Sequence, residues 1–350
     1  MSTLHVMELE KFTPPIIDFL RKEFPTKRQQ FFTFGDDKKY PYVDGSDLYY
    51  AGNYKSRIKK IFNLHFPLIS KAYKCDKIVF HGLFDFYILL ILFFNPWLLK
   101  KSYWIIMGGD LHNCLKVSSI KIKIKNVIRK FVFRNMSGLV TYIDGDVDIL
   151  RKWCGAKGKY IRCLCYLTNT VSGVNQSRTK HLDSNFNVLL GNSADPSNNH
   201  LEIFEKIDNI NNSVNKIVVP LTYGDSSYRD KVIEKGIELF GNKFFPIIEH
   251  LPLDDYKREI INTTDVAIFA HDRQQAMGNT ISLLAMQKVV VMKASTPQYK
   301  LLKEIGVKVI DFETLSKSDL KCFSSFETNR ELVEDFFSYD NLKNQWGNLL

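Results

Sequence analysis

The sequence predicts an α/β protein made of two Rossmann-like domains that face each other across a cleft. Short runs rich in β-branched and aromatic residues alternate with segments of helical apolar periodicity in both halves of the chain. A polar stretch rich in Ser, Thr and Asn separates the halves. The length of 350 residues suits two domains of ordinary size.

The domain boundaries follow from the same pattern. Residues 1–168 are predicted to form the N-terminal domain, 169–185 the linker and 186–325 the C-terminal domain. Residues 326–350 contain one predicted helix, Glu331–Leu349, which can pack back on the N-terminal domain.

Composition indicates a folded protein with an anionic partner. The chain is 45% hydrophobic and 25% charged, with a formal net charge of +10. Such a charge suits a membrane surface, nucleic acid or a phosphorylated small molecule. No nucleic-acid module is recognisable, so we expect no nucleic-acid partner. The N-terminus does not resemble a secretory signal, and the six cysteines lack zinc-ligand spacing, so we expect reduced thiols and no metal.

In the first half, two strand-like runs each end in a polar tip. Lys77–Phe80 leads to His81-Gly82, and Tyr103–Met107 leads to Gly108-Gly109-Asp110. Strands separated by helices indicate a parallel sheet, whose ligands gather outside the carboxyl ends of the strands. Both tips are therefore predicted to lie on the same rim.

Two apolar segments of the first half each allow two interpretations. Tyr87–Leu99 is too short and interrupted to span a membrane, so we predict a core helix, with membrane contact as the alternative. Ile120–Arg134 predicts a basic amphipathic helix. Its apolar stripe either binds anionic lipid or packs in the core. The stripe contains Ile120, Ile124, Val127, Ile128 and Phe131, and the flanking cations include Lys121, Lys123, Lys125, Arg129 and Lys130.

Asp144-Gly145-Asp146 lies where a strand leads into a helix. An Asp-x-Asp triplet can hold a divalent metal on a nucleotide-sugar diphosphate. Acidic residues at a helix start also serve as caps, and capping is the favoured interpretation.

In the second half, Val266–Val291 forms a strand–loop–helix–strand unit. Arg273 and the amides of Gly278, Asn279 and Thr280 can converge there at a helix N-terminus, which suits a diphosphate. The alternative is a plain connection with a solvated arginine. No GxGxxG fingerprint of a dinucleotide site is present.

Several motifs resemble the TDP-4-acetamido-4,6-dideoxygalactose (Fuc4NAc) transferases of glycosyltransferase family 56, which act in enterobacterial common antigen synthesis. The second half contributes GNSADPSNNH at 191–200, VVPLTYG at 218–224 and RQQAMGNTISLLAMQ at 273–287. The first half contributes FHGLF at 80–84 and GGDL at 108–111. The resemblance runs from about residue 76 to 310.

This resemblance implies a glycosyltransferase B fold, a dTDP-activated deoxyaminosugar donor and a polyprenyl-diphosphate-linked saccharide acceptor, with the acceptor in the N-terminal domain. It implies no cofactor and no required metal, because Arg273 and the helix start neutralise the leaving diphosphate. Asp110 is the candidate general base, with His81 and His112 as alternatives. Further donor-side residues are Asn192, Ser193, Asn199, Tyr223, Glu249, Gln274, Gln275, Gly278, Asn279 and Thr280, with Asp195 beside them.

We therefore expect a peripheral glycosyltransferase on the cytoplasmic face of the bacterial inner membrane. One alternative is a transferase that uses a GDP- or UDP-deoxysugar in O-antigen or capsule assembly. The other is a non-enzymatic basic protein that binds membrane or nucleic acid.

Overall fold

The structure is a computed structural model that describes residues 1–54, 56–115, 120–171, 185–208, 213–316, 326 and 328–350. Most of the predicted linker therefore lies outside the described residues. The chain divides into two compact units. Unit 1 contains Met1–Thr168 together with Tyr339–Leu350, and unit 2 contains Asn169–Ser338.

Unit 1 is built around a parallel sheet of seven strands in the order β3-β2-β1-β4-β5-β6-β7. Its central strand, β4, is buried along its whole length, as expected when helices cover both faces of a sheet. The strands are β1 Ser2–Glu8, β2 Arg28–Phe34, β3 Leu48–Tyr50, β4 Lys77–His81, β5 Ser102–Ile105, β6 Gly138–Thr141 and β7 Lys159–Arg162.

The helices of unit 1 connect these strands. A π-helical turn at Ile61–His65 joins α2 to α3. Asp85 caps α4 by accepting a hydrogen bond from Tyr87 N at 2.7 Å. The helices are α1 Thr13–Glu23, α2 Arg57–Lys60, α3 Phe66–Lys74, α4 Phe86–Phe94, α5 Gly109–Leu115, α6 Ile120–Asn135 and α7 Asp144–Cys154.

Unit 2 is built around a second parallel sheet, of six strands in the order β10-β9-β8-β11-β12-β13. The strands are β8 Phe186–Leu190, β9 Val214–Pro220, β10 Phe244–Ile247, β11 Val266–Phe269, β12 Val289–Met292 and β13 Ile310–Asp311. The helices are α8 His200–Asp208, α9 Ser226–Phe240, α10 Leu253–Tyr256, α11 Met277–Ala285, α12 Pro297–Glu304 and α13 Asn329–Phe336.

The C-terminal segment differs from its prediction. The expected single helix is two helices, α13 in unit 2 and α14, Tyr339–Leu349, in unit 1. The helix is interrupted at Phe337, which is buried and whose carbonyl accepts a hydrogen bond from Val171 N at 2.8 Å.

Helix α14 completes the core of unit 1. Its apolar residues Leu342, Trp346 and Leu349 recur at helical spacing and are all buried. Trp346 Nε1 donates to the carbonyl of Cys165 at 3.1 Å, and its ring stacks on that of His81 with centroids 5.9 Å apart.

Within the described part of the chain, no helix combines the length and apolar character needed to cross a membrane. Five cysteines in that part are buried free thiols. Cys322 lies outside it.

Candidate functional site

The candidate donor site in unit 2 is organised by Asn198, a fully buried side chain in the loop after β8. Its Oδ1 accepts hydrogen bonds from Asn192 N at 2.8 Å and from the Nε2–H of His271 at 3.0 Å. Its Nδ2 donates to Ser193 Oγ at 3.2 Å and to the carbonyl of Asp195 at 3.1 Å. Burial lowers the pKa of His271 to about 3, so the imidazole is neutral. Asn198 thus joins the two loops that the sequence assigned to the donor.

Gly191 permits this arrangement. Its φ is +61°, a conformation in which side chains are strained. An added Cβ would also lie 2.5 Å from His200 Nε2 and 2.8 Å from Asn198 Oδ1. The loop can therefore fold back on itself only at a glycine.

Arg273 lies in the loop after β11 and pairs with Asp195 through Nη2 and Oδ2, 3.3 Å apart. Asp195 Oδ1 also accepts from Ser197 N at 2.9 Å and Ser197 Oγ at 2.6 Å. Burial alone would raise the pKa of Asp195, but the Ser197 hydrogen bonds and the Arg273 charge lower it below its ordinary value. Among the described residues, Asp195 is the one carboxylate paired with Arg273. The guanidinium is thus held in place by one long ion pair.

Helix α11 begins beside this arginine with a strained residue. Ala276 has φ +56°, in the left-handed region that alanine rarely adopts. The Thr280 amide, predicted to be available to a ligand, donates to the carbonyl of Ala276 at 2.8 Å. The first-turn amides without an intrahelical acceptor are those of Met277, Gly278 and Asn279. The predicted amide set is thus shifted by one residue.

The Thr280 side chain adds a further polar group. It is fully buried, and its Oγ1 has no hydrogen-bond partner among the described residues. A buried hydroxyl without a partner is costly, so the helix start holds an unused polar group as well as free amides. The neighbouring Asn279 Nδ2 donates to the Tyr256 hydroxyl at 2.9 Å.

The loop after β9 is joined to the loop after β8. Ala194 N donates to the carbonyl of Tyr223 at 2.7 Å, and Asp225 N donates to the carbonyl of Ala194 at 3.0 Å. Gly224 is required there because a Cβ would lie 2.5 Å from the backbone of Ala194. The exposed Tyr223 ring is held by a 3.0 Å hydrogen bond from Asn192 Nδ2 to its hydroxyl.

The remaining predicted donor residues differ in their placement. Gln275 Nε2 donates to Ser197 Oγ at 3.1 Å, which places Gln275 in the network, and Gln274 is half-buried in the same loop. Asn199 Nδ2 donates to the carbonyl of Ala270 at 2.8 Å. Glu249 is exposed after β10, and no hydrogen bond or ion pair within the described residues links it to the network.

Sequence reasoning missed Asn198, Gln298 and Tyr256. Gln298 is fully buried, and its Oε1 accepts from Gln275 N at 3.0 Å. Gln298 and Tyr256 lie on other helices, and no local pattern marks them. Asn198 lies inside the recognised motif at 191–200, in which Asn192, Ser193 and Asn199 were the predicted donor-side residues.

In unit 1 the two polar tips meet as predicted, but Asp110 is saturated by internal hydrogen bonds. Its Oδ2 accepts from Leu83 N at 3.0 Å and Trp104 Nε1 at 2.7 Å. Its Oδ1 accepts from Met107 N at 3.1 Å and Leu111 N at 3.0 Å. Burial raises the pKa of Asp110 to about 6, against the effect of these bonds. This geometry gives Asp110 the structural role of joining β4, β5 and α5.

The ring nitrogens of His81 are also engaged. Nδ1 lies 3.0 Å from the Tyr166 hydroxyl, and Nε2 lies 3.2 Å from Nδ1 of His5. Burial lowers the pKa of His81 well below its ordinary value, and the neighbouring His5 lowers it further. His81 is thus a buried neutral residue.

The Asp-x-Asp triplet neither caps its helix nor gathers a metal site. Asp144 bonds to Arg162 and Tyr160, while Asp146 is fully buried with Oδ1 3.6 Å from His112 Nε2. No side chain caps α7, so the favoured capping interpretation was wrong. Within the described residues, no cluster of His, Cys, Asp and Glu is arranged to hold a metal ion.

Helix α6 turns its predicted apolar stripe outward. Ile120, Ile124 and Val127 are 77%, 62% and 66% exposed, whereas Val132 and Phe133 near the helix end are buried. The interpretation that placed this stripe in the core was therefore wrong for these three residues, whereas Ile128 of the same stripe packs against the core. Lys123 and Lys125 are exposed beside it, Arg129 is half-buried, and Lys130 lies 5.1 Å from the Trp153 ring. The side chain of Lys121 is outside the described set.

Several solved structures with this architecture are glycosyltransferases. The chain matches sucrose-phosphate synthase from Thermosynechococcus elongatus with a TM-score of 0.67 at 12% identity, covering 100% of this chain and 98% of that one. It matches Anabaena HepE, solved with UDP and glucose, with a TM-score of 0.67 at 11% identity, covering 100% and 99%. It also matches the lipopolysaccharide outer core galactosyltransferase WaaB with a TM-score of 0.63 at 9% identity, covering 99% and 98%. The chain has the glycosyltransferase B fold.

The sequence itself matches one glycosyltransferase family. The description of that family is 4-alpha-L-fucosyltransferase, glycosyl transferase group 56, and the match covers residues 52–350. It extends beyond the 76–310 segment in which motifs were recognised and includes both units. The chain therefore belongs to glycosyltransferase family 56 and is a glycosyltransferase.

Proposed function

We propose that this enzyme transfers a deoxyaminohexose resembling Fuc4NAc from a dTDP-sugar to a polyprenyl-diphosphate-linked oligosaccharide in cell-surface polysaccharide synthesis. The observation that carries the proposal is the start of α11, where Arg273, the free first-turn amides and the buried Thr280 hydroxyl belong to one loop and helix turn. Family membership supports the reaction class.

The chemistry follows from this geometry. When the bond between the sugar and the diphosphate breaks, negative charge grows on the departing phosphate oxygen. Arg273 and the positive end of α11 stabilise that charge. Asp195 fixes the guanidinium, so little reorganisation is needed at the moment of reaction. With these groups in place, the proposed reaction requires no metal ion and no cofactor.

The donor is proposed to contact three loops of unit 2. Tyr223 offers an exposed ring for stacking on the base, and Asn192, which holds its hydroxyl, lies beside the proposed phosphate site. Anabaena HepE, which shares the fold, has been solved with UDP-glucose, and this supports a nucleotide-sugar donor. Glu249 stays a prediction for contact with the ribose or base.

Calorimetry with dTDP, UDP and GDP, followed by transfer of radiolabelled sugar from dTDP-Fuc4NAc to a lipid-linked acceptor, tests the proposal. We expect dTDP to bind most tightly and label to enter the lipid fraction. Tighter binding of UDP or GDP would reassign the donor to a UDP- or GDP-deoxysugar, as in the O-antigen or capsule alternative. Absence of binding by all three nucleotides would refute the assigned donor site.

We further propose that the enzyme works as a peripheral protein on the cytoplasmic face of the bacterial inner membrane, where a polyprenyl-linked acceptor is available. Helix α4 supports this because it is apolar on all sides, yet Phe94 at its end is 70% exposed. Phe93 beside it contacts Phe131 of α6, with ring centroids 5.1 Å apart. The outward apolar stripe of α6 therefore continues the exposed apolar surface at the end of α4, and the lysines of α6 flank this surface.

Co-sedimentation with vesicles of phosphatidylcholine, with and without phosphatidylglycerol, tests this surface. We expect binding to the anionic vesicles, and a loss of about 30-fold in K123Q/K125Q, since each basic residue near an anionic membrane contributes about 1 kcal/mol. The double variant I124S/V127S should also bind more weakly, because less apolar surface can enter the membrane interface. The matched controls in unit 2 are I237S/I248S, at residues 56% and 53% exposed, and K231Q/K303Q. Equal losses in test and control variants would refute the assigned surface.

A further inference from the structure

Unit 1 contains a small cavity at the ends of β1, β4 and β5. Phe12, Phe84 and Tyr166 line it, together with His81, Glu8 and Glu10. The cavity has a volume of about 10 Å³, which is room for one hydroxyl group of a ligand. Neither carboxylate takes part in the proposed stabilisation of the leaving diphosphate.

Of the three groups predicted to act as a base, Asp110 and His81 are not free to take a proton in this geometry, and His112 is not among the residues that line the cavity. Both oxygens of Asp110 accept two hydrogen bonds each, and both nitrogens of His81 have partners. His81 also lines the cavity, and its Nδ1 lies 3.0 Å from the Tyr166 hydroxyl. A hydroxyl that enters the cavity must therefore find another proton acceptor.

The backbone that carries Glu8 and Glu10 is fixed. Thr13 Oγ1 donates to the carbonyl of Glu8 at 2.7 Å and accepts from Glu10 N at 3.3 Å. Leu9 N donates to the carbonyl of Phe34 at 2.7 Å. In contrast, neither carboxylate has a hydrogen bond or an ion pair with any residue that the structure describes. Both residues thus combine a fixed backbone with carboxylate oxygens that have no partner among the described residues.

The surroundings distinguish the two carboxylates. Burial raises the pKa of the Tyr166 hydroxyl, and the charge of Glu10 contributes to the rise, so Glu10 acts on the cavity wall. The charged neighbours of Glu8, apart from Glu10, are Asp85 and Lys60. These lie at α4 and α2, and Lys60 Nζ pairs with Asp85 Oδ2 at 2.5 Å. Phe12, two residues after Glu10, packs its ring 5.6 Å from that of Tyr166, so the segment that carries Glu10 lies against the aromatic wall.

We propose that Glu10 is the general base that accepts the proton of the acceptor hydroxyl, with the acceptor sugar packed against Phe12, Phe84 and Tyr166. The inference rests on the proposed glycosyl transfer. The acceptor oxygen bonds to the anomeric carbon of the donor sugar, and the bond from that carbon to the diphosphate breaks. The diphosphate leaves with the bonding electron pair, and the hydroxyl proton passes to a Glu10 carboxylate oxygen.

The local environment is suitable for this role. Glu10 reaches solvent at the cavity mouth, yet the surrounding protein atoms desolvate it and raise its pKa, while Lys11 opposes the rise. A carboxylate with a raised pKa is a stronger proton acceptor when ionised.

The test compares E10Q with E8Q and with E234Q, a control at an exposed glutamate of α9. For E10Q we expect kcat for sugar transfer to fall by about 10²–10⁴-fold, with unchanged nucleotide affinity by calorimetry. E8Q should retain kcat within about tenfold, and E234Q should match the wild type, since neither removes the base. Sugar transfer by E10Q at close to the wild-type rate would overturn the inference, as would a larger loss in E8Q.

Azide separates a base from a structural residue. The azide ion has no proton to lose, so E10Q should still form the glycosyl azide from the donor at the wild-type rate. Loss of azide transfer together with acceptor transfer would show that Glu10 only shapes the site, which overturns the inference. Wild-type enzyme that binds no nucleotide and transfers no sugar would instead refute the proposed function, before any variant is made.

Discussion

The two sheets use the polar residues at their strand ends in opposite ways. In unit 1, the carboxylate oxygens of Asp110 and the ring nitrogens of His81 are hydrogen-bonded to other groups of the protein. In unit 2, Arg273 has one long ion pair within the described part of the chain. Beside it lie the first-turn amides of α11 and the buried Thr280 hydroxyl, which has no hydrogen-bond partner among the same residues. The same position in the fold therefore supports a structural role in one unit and the proposed ligand-binding role in the other.

This contrast shows what a strand-end position can indicate. A polar residue after a parallel strand lies near the ligand edge of the sheet, but neighbouring backbone amides compete for it. A short carboxylate after two glycines, like Asp110, is readily enclosed by local amides. A guanidinium has a long side chain and only donors, so backbone N–H groups cannot bond to it. It therefore remains available to a ligand.

The largest expected effect separates the proposed ligand-binding role from the structural one. R273A should lower kcat by about 10²–10³-fold, because it removes a charge that stabilises the leaving diphosphate. Thermal unfolding should change little, since the ion pair it breaks is partly exposed. R258A, which removes an exposed arginine of the same unit, is the matched control. Equal kcat in both variants would place Arg273 outside the reaction.

The next effect tests the structural role of Asp110. D110N should lower the free energy of unfolding by about 3 kcal/mol, because an amide nitrogen replaces an oxygen that accepts two hydrogen bonds. Urea titration measures this, with the exposed Asp230 changed to Asn as control. A D110N variant with normal stability and lost turnover would return the role of general base to Asp110.

Acid should affect both units through their buried histidines. Burial lowers the pKa of His5 and of His271 to about 3, from 6.5. Below pH 6.5 the unfolded chain binds protons that the folded chain excludes, so stability falls as the pH drops from 6.5 towards 3. Each of these two histidines should lower the free energy of unfolding by about 2 kcal/mol at pH 5. Urea titrations at pH 7.5 and 5 should show this loss, and H5Q should reduce it.

The smallest effect concerns the surface of the C-terminal helix. Lys343 Nζ lies 2.5 Å from Glu23 Oε2, but Lys343 is exposed, so K343Q should change the stability very little. W346A, at a fully buried residue of the same helix, should cost about 4 kcal/mol. Comparable losses in urea titrations of the two variants would show that α14 is held to unit 1 by charge.

Much of this fold could be predicted from sequence, because periodicity and β-branched runs report burial directly. The two parallel sheets, the meeting of the tips at His81 and Asp110, and the Val266–Val291 unit follow from those signals. The outward turn of α6 could not be predicted, because an apolar stripe is the same whether it faces a core or a membrane. The roles of Asn198 and Gln298 depend on contacts between distant segments, which local patterns do not contain.

Helix α14 has a consequence for how the chain folds during synthesis. Trp346 packs against His81 in unit 1, although all of unit 2 lies between them in the chain. At about 5–20 residues per second, the ribosome needs roughly 10–30 s to make unit 2. During that time His5, His81 and the carbonyl of Cys165 lack their last covering side chain. We expect nascent unit 1 to stay open to chaperones and proteases until its final helix emerges.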